Sequence, residues 1–383
     1  MYLFILVIVL GLTTAFVLVR KQTVQQVGFD VQAAEVGVAQ LSEYSKARVV
    51  SIAQEDSTVN KHFSLYTQTL QVRFLDGSMS KQEVGVDYQT TSAIQKLKVG
   101  DTVVVGQLSD ARNNNDNPYV IVDLYRLPYV GVLVLVFLLC AVYFARWRGV
   151  TSVVGLAFSV FVLIYFIAPS ILAGQNPVVI SLVGAFIIAV VSLFLAHGFN
   201  ERTSLAVIST LLTLGLAQGL AYLAIHGVRL FGNGSEEAYL LQAGSLGAFN
   251  LQGLLFGGII IGCLGVLDDV TTGQTAAVDE LHHTSPALTL TQLYRKGMSI
   301  GREHIASLIN TLVLAYAGAF FPLFLLIVLT SHQPLWVTLN SEFIAEEIVR
   351  TLVGSIALIV AVPLSTILAA WYFKRNKVDS IIH

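Results

Sequence analysis

The chain has 383 residues, of which 55% are hydrophobic and only 12% charged, with a formal net charge of −2. Soluble domains carry about 25% charged residues, so this balance excludes an ordinary water-facing globule and fits a surface that mostly meets lipid, where charge is costly. The near-neutral charge and the lack of a long basic run exclude a nucleic-acid partner. The two cysteines, Cys140 and Cys263, both fall in apolar runs and exclude a disulfide framework or zinc ribbon in the water-facing part.

A spanning helix needs about 20 apolar residues. The first apolar run, 2–19, has no basic n-region and no A-x-A site after it, so 1–21 reads as an uncleaved anchor rather than a signal peptide. Residues 22–127 hold nine basic and twelve acidic residues and several short β-like runs: Ala47–Ala53, Thr69–Leu75, Glu83–Val86, Thr102–Leu108 and Tyr119–Tyr125. Asp76-Gly77 and Lys98–Asp101 are turn signals between them, and 113–117 reads as an exposed loop. This pattern predicts a small all-β domain, an OB-like barrel or a sandwich. It reads as a spacer or as a partner- or substrate-binding module, since its histidine, His62, has no obvious catalytic companion.

Residues 128–383 hold seven further apolar runs: 129–146, 151–173, 176–196, 204–226, 250–268, 305–330 and 350–373. The stretch 287–303 alternates apolar and basic positions and predicts an amphipathic helix on the inner membrane interface. The expected fold is thus an α-helical polytopic membrane protein of about eight spans, with an extracytoplasmic β domain between the first and second. Lys and Arg set the orientation. Arg146, Arg148, Arg202, Arg295, Lys296, Arg302, Lys374, Arg375 and Lys377 lie in alternate connections, whereas the intervening ones carry only Arg229 and Arg350. Both termini are therefore expected inside and residues 22–127 outside. Arg20 and Lys21 point the other way and are outvoted by the later spans.

The stretch Gly262–Leu281 carries the most informative chemistry. Asp268 and Asp269 follow an uncharged run that reaches back to Glu237, and Val270–Val278 is uncharged again. A helix continuing through them holds both acids at membrane depth, and a helix ending there sets them against its dipole. Either geometry is costly, and an acid within a span is a functional hypothesis by default. Adjacent carboxylates repel, which favours a proton held on one of them. The pair is separated by about 100° around a helix, so one of the two faces a pathway. Asp279, Glu280, His282, His283, Glu303 and His304 follow without a metal-binding motif and read as a solvated inner region. His197, Asn200, Glu201 and Glu280 are expected to form a cluster at the inner loops. Asn310, Thr311 and Tyr316 are polar groups in the seventh span, expected to bond between helices or to line a pathway. Gly258 and Gly262 form a GxxxG in a glycine-rich span, and Pro363 interrupts the last one.

Four stretches resemble the YibE/F family of bacterial membrane proteins: the loop HGFNERTS at 197–204, Gly253–Leu281 with GVLDDV, the run 297–323, and Glu346–Thr366 with VPLST. The resemblance implies a multi-pass protein of the bacterial cell membrane. The water-facing domain is similar to that of the longer, YibE type and implies a YibF-like companion subunit, with a homo-oligomer as the other arrangement. A looser similarity, to resistance-nodulation-division exporters and SecD/SecF, rests on Gly265–Val270 and the order of the segments around it. By analogy, Asp268 and Asp269 are proton-coupling residues, although no lysine lies within a span as counter-charge. The expected function is a proton-coupled transporter or envelope translocation component. The alternative is a non-transporting scaffold or accessory subunit acting through its β domain. No catalytic activity, cofactor or resident metal is expected, and an intramembrane enzyme with a metal near Asp279–His283 is the weakest class.

Overall fold

The computed structural model describes residues 41–60, 63–77, 79–108, 118–235, 237, 238, 241, 250–329 and 334–379. The expected anchor 2–19, the loop 113–117 and His62 lie outside them. The chain divides into two compact units, one within Ala34–Cys140 and one built from Ala141 onward.

Five strands make the first unit: β1 (Leu41–Asn60), β2 (Phe63–Phe74), β3 (Glu83–Thr90), β4 (Thr102–Leu108) and β5 (Tyr119–Leu124). They form one curled half-barrel sheet in the order β3-β2-β1-β4-β5, with antiparallel neighbours throughout. The long β1 pairs with β4 over Leu41–Arg48 and with β2 from Ala47 to Asn60. Register shifts at Val49/Ser51 and Ile52/Gln54 bend it between the two partners. Alternate residues point inward, as the period of a strand requires: Ala47 and Val49, Leu70 and Val72, Val103 and Val105 are all buried. Leu97 closes this core from the segment before β4, held by a buried side chain on β2. Gln68 Nε2 donates to the Leu97 carbonyl at 3.2 Å, and the Leu97 amide donates to Gln68 Oε1 at 2.8 Å.

All five predicted strand positions carry strands, and β1, β2 and β3 run further than their apolar alternation. The Asp76-Gly77 turn is fixed by Lys46 N donating to Asp76 Oδ1 at 2.6 Å, with Gly77 at φ 78°, a conformation that favours glycine. Across the sheet Lys96 Nζ lies 2.6 Å from Glu55 Oε1 and, through that hydrogen bond, holds the Glu55 carboxyl below its ordinary range.

The second unit is helical. Helix α1 (Leu127–Val162), which begins within the first unit, runs through a π-helical turn (Leu163–Ile167) into α2 (Ala168–Leu172). Arg146 (φ 53°, ψ −132°) breaks α1 sharply, between the predicted second and third spans. At that bend Gly149 meets the Ala141 backbone so closely that a Cβ would stand 2.1 Å from the carbonyl oxygen. Helix α3 (Pro177–His197) starts with Pro at its first position behind an Asn176 cap, and α4 (Glu201–Val228) starts behind Asn200, whose Oδ1 accepts from Thr203 N at 2.8 Å. Then come α5 (Leu251–Thr284), α6 (Leu290–Ala319), α7 (Phe321–Leu329), α8 (Leu335–Leu339) and α9 (Glu342–Asp379).

Two expectations are changed here. The predicted amphipathic segment 287–303 and the start of the seventh span form one helix, α6, opened by a Thr289/Gln292 capping box. The rest of that span is a separate helix. Pro322 has no amide to donate and its ring crowds the carbonyl four residues earlier, so α6 stops at Ala319 and α7 begins at Phe321. Among the described residues, five helices are long and apolar enough to cross a membrane: Leu127–Leu172, Pro177–His197, Glu201–Val228, Leu251–Thr284 and Glu342–Arg375.

Helix α5 occupies the centre and packs against α3, α4, α6 and α9. Ile259, Ile260, Leu264 and Leu267 of α5 are buried there with Leu214 of α4 and Leu358 of α9. The bundle has two distinct ends. At one, the C-terminal end of α5 meets the start of α4, and Lys374 Nζ of α9 donates to the Pro286 carbonyl at 3.0 Å. At the other, carboxylates of α9 clasp the segment after α4. Glu342 Oε1 accepts from Phe231 N at 2.5 Å and Gly232 N at 3.1 Å, and Glu346 Oε1 from Gly234 N at 3.0 Å.

Candidate functional site

Helix α5 continues unbroken through Asp268 and Asp269, which stand near its middle. From Asp268, positions three, seven, eleven and fourteen residues on lie on one face of a helix. Those positions are Thr271, Thr275, Asp279 and His282, and all four are buried. The stripe looks toward α4: Thr271 Oγ1 and Thr210 Oγ1 of α4 stand 2.7 Å apart, both fully buried. Ser209 and Thr213, on either side of Thr210 in α4, are also buried, as are Ser365 and Thr366 of α9. Next to the stripe, buried Gln274 reaches two other helices. Its Nε2 donates to the Gly297 carbonyl of α6 at 2.9 Å and to Thr366 Oγ1 of α9 at 2.7 Å.

Asp268 is partly buried, and its Oδ1 is sealed from the surface with no hydrogen-bond partner among the described residues. Thr275 Oγ1 and Gln274 Oε1 are buried and unpartnered in the same sense. Asp269, turned by about 100°, is exposed on the face that also carries Gly262 and Gly273. Both of those glycines face α6, since a Cβ at Gly262 would lie 3.3 Å from Tyr316 Oη and one at Gly273 would lie 3.6 Å from His304 Cε1.

At the end of the stripe Asp279, its side chain 5% exposed, hydrogen-bonds Arg202 Nε of α4 through Oδ2 and stands 3.3 Å from His283 Nε2 through Oδ1. These groups line a cleft of about 520 Å³ with Asn200, Glu201, His282 and Phe373. A smaller cleft of about 160 Å³ adjoins it, sharing Asn200 and Arg202 and walled also by Arg148, His197, Thr203, Thr272 and Ala276.

A family model described as YibE/F-like protein matches residues 133–375, more than half of the chain. The chain belongs to that family. The match takes in every helix-borne residue of the site and leaves the β sheet outside it. No curated protein and no solved structure shows a significant match.

Within the YibE/F-like part, the structure sorts the residues that the sequence singled out. His197, Asn200 and Glu201 line the clefts, whereas Glu280 is exposed and lines neither. Its neighbour Asp279 takes the inward position, because α5 stays helical to Thr284 and does not open into the solvated region expected from 279 onward. Asn310 and Thr311 are exposed on α6, with Thr311 Oγ1 donating to its own helix at Ser307 O, and Tyr316 alone of the three approaches α5. No group of three or more His, Cys, Asp or Glu side chains among the described residues is arranged to hold a metal ion. Sequence reasoning passed over Thr271 and Thr275, set Asp279 in a solvated region, and missed Gln274. The first three carry a legible signal, the helical spacing of three or four residues that starts at Asp268.

Proposed function

We propose that the chain is a proton-coupled transporter of the bacterial cell membrane and that Asp268 is its proton-binding group. The observation that carries this reading is the buried polar stripe from the inner cleft to Asp268 in the middle of the bundle. Asp268 lies eleven residues from Asp279, about 16 Å of helix, and a hydrocarbon core is about 30 Å thick. A carboxylate at that depth without donors is costly while charged and is neutralised by taking a proton. Thr271, Thr275 and Gln274 offer hydroxyl and amide oxygens along the way, and the unpartnered atoms among them are places for a water or a passing proton.

The finer architecture belongs to the same proposal. The break at Arg146 and the apolar continuation from α6 into α7 support separate spans at 129–146, 151–173 and 305–330, hence eight with the anchor. Both termini then lie inside and residues 22–127 outside. An OB-like barrel for the outer domain is supported by the strand order and by the approach of β3 to β5, which brings the two outer strands of the sheet together. That domain meets substrate or partner, a YibF-like companion or a second copy. In liposomes with a trapped pH-sensitive dye, Asp268→Asn is expected to abolish proton movement at unchanged protein level, and Asp269→Asn to retain it. Undiminished proton movement in Asp268→Asn sinks the assignment.

A further inference from the structure

The smaller cleft has a chemistry that the proton path does not use. Its walls are Arg148, His197, Asn200, Arg202, Thr203, Thr272 and Ala276, with no acid among them. Most of its polar side chains are already engaged. Asn200 Oδ1 caps α4, and its Nδ2 donates to the His197 and Gly198 carbonyls. Thr203 Oγ1 donates to Asn200 Oδ1, and Thr272 Oγ1 donates to the Asp268 carbonyl at 2.7 Å.

The cations are in a different state. Arg202 is held from behind: its Nε is engaged by buried Asp279, which leaves both terminal nitrogens without a partner among the described residues while the side chain remains 47% exposed. Arg148 makes no ion pair or hydrogen bond through its guanidinium among the described residues. Thr151, in the turn after it, donates through Oγ1 to the Arg148 carbonyl at 3.0 Å and to the Ala196 carbonyl of α3, next to His197, at 3.4 Å. His197 lies within electrostatic reach of Arg148 and of Asp269. Two guanidinium forks beside an acid-free concavity match the oxygens of a phosphate group, which arginine grips with two parallel hydrogen bonds.

We propose that this cleft is an anion site that binds a phosphate group between the forks of Arg148 and Arg202, with Asp279 as the residue that orients Arg202. The phosphate is that of an anionic lipid headgroup or of a soluble phosphate compound at the inner face. The site is separate from the proton chemistry of Asp268, so failure of one leaves the other standing.

The test uses the full chain in nanodiscs. Inorganic phosphate is titrated into discs of phosphatidylcholine alone, and the thermal unfolding midpoint is compared between discs with and without phosphatidylglycerol. The variants are Arg148→Gln, which disturbs no ion pair, and Arg202→Lys, which keeps a cation against Asp279 but loses the fork. Arg295→Gln, exposed on α6 outside the cleft, is the control for general surface charge. Phosphate binding that weakens about tenfold or more in both cleft variants and not in the control identifies a soluble ligand. A phosphatidylglycerol-dependent rise of the midpoint in wild type and control that both cleft variants lose identifies a lipid headgroup. The absence of both responses in the wild type, or equal responses in wild type, cleft variants and control, overturns the proposal.

Discussion

Gln274 ties three helices together through one amide, and nothing in the sequence marks it. It sits among Val270–Val278, a run whose apparent message is the lack of charge. Only packing shows that its side chain is buried and that Nε2 donates to α6 and α9 at once. In Gln274→Leu the side-chain volume is kept and both bonds are lost. Interhelical hydrogen bonds in membranes are worth up to about 2 kcal/mol, so the unfolding free energy should fall by an amount of that order and the midpoint in detergent should fall with it. Retention of the full midpoint would mean that the amide contributes nothing to holding the helices. Asp268 and Asp269 are the opposite case. Charge within an apolar run is legible without coordinates, but which of the two turns inward is not, because a rotation of about 100° separates them and the neighbouring helices decide the outcome.

Helices and strands were legible where composition alone forces them. The apolar runs of α3, α4, α5 and α9 appear where a water-avoiding stretch of span length lies, and the strands appear at every alternating run. Their joints were less legible. The predicted inner amphipathic helix and seventh span merge in α6 because no residue between them breaks a helix, and the span is then cut at Phe320 by Pro322. Helix α6 docks through two glycines one turn apart. A Cβ on Gly297 would lie 2.8 Å from Thr366 Cγ2 and 2.9 Å from Val278 Cγ2, and one on Gly301 would lie 2.4 Å from Val362 Cγ1. These distances leave no room for a side chain, so Gly301→Val must push α6 away from α5 and α9. Overpacking of this kind costs about 1–3 kcal/mol. The expected outcome is a lower unfolding midpoint and weaker proton movement in liposomes, since the Gln274 bridge to α6 is strained with it. Normal stability in Gly301→Val would show that α6 is not seated as described.

At the scale of the whole molecule, the two ends of the bundle give the proposed orientation a direct test. Counting Lys and Arg treats each connection separately, whereas the contacts gather those connections at two ends. One end holds Arg202, the Asp279 pair, Lys374 beside Pro286, and Arg375, whose guanidinium lies 5.3 Å from the Trp371 ring. The other holds Glu342 and Glu346 on the segment after α4, with Arg350 paired to Glu347 at 3.3 Å. In the proposed orientation the end richer in Lys and Arg lies inside, because those residues bias topology while acids contribute little. That direction puts Ala287, next to the basic end, in the cytoplasm, and the eight-span reading puts the β unit with Ser80 outside. Both positions are exposed in the structure. In a background with Cys140 and Cys263 replaced by serine, Ser80→Cys should react with a membrane-impermeant maleimide in intact cells. Ala287→Cys should react only after the cells are opened. Labelling of position 287 in intact cells would reverse the bundle and move the inner cleft, with its arginines, to the outer surface. Labelling of both positions in intact cells would instead place the β unit on the same side as the basic end and remove one span from the count.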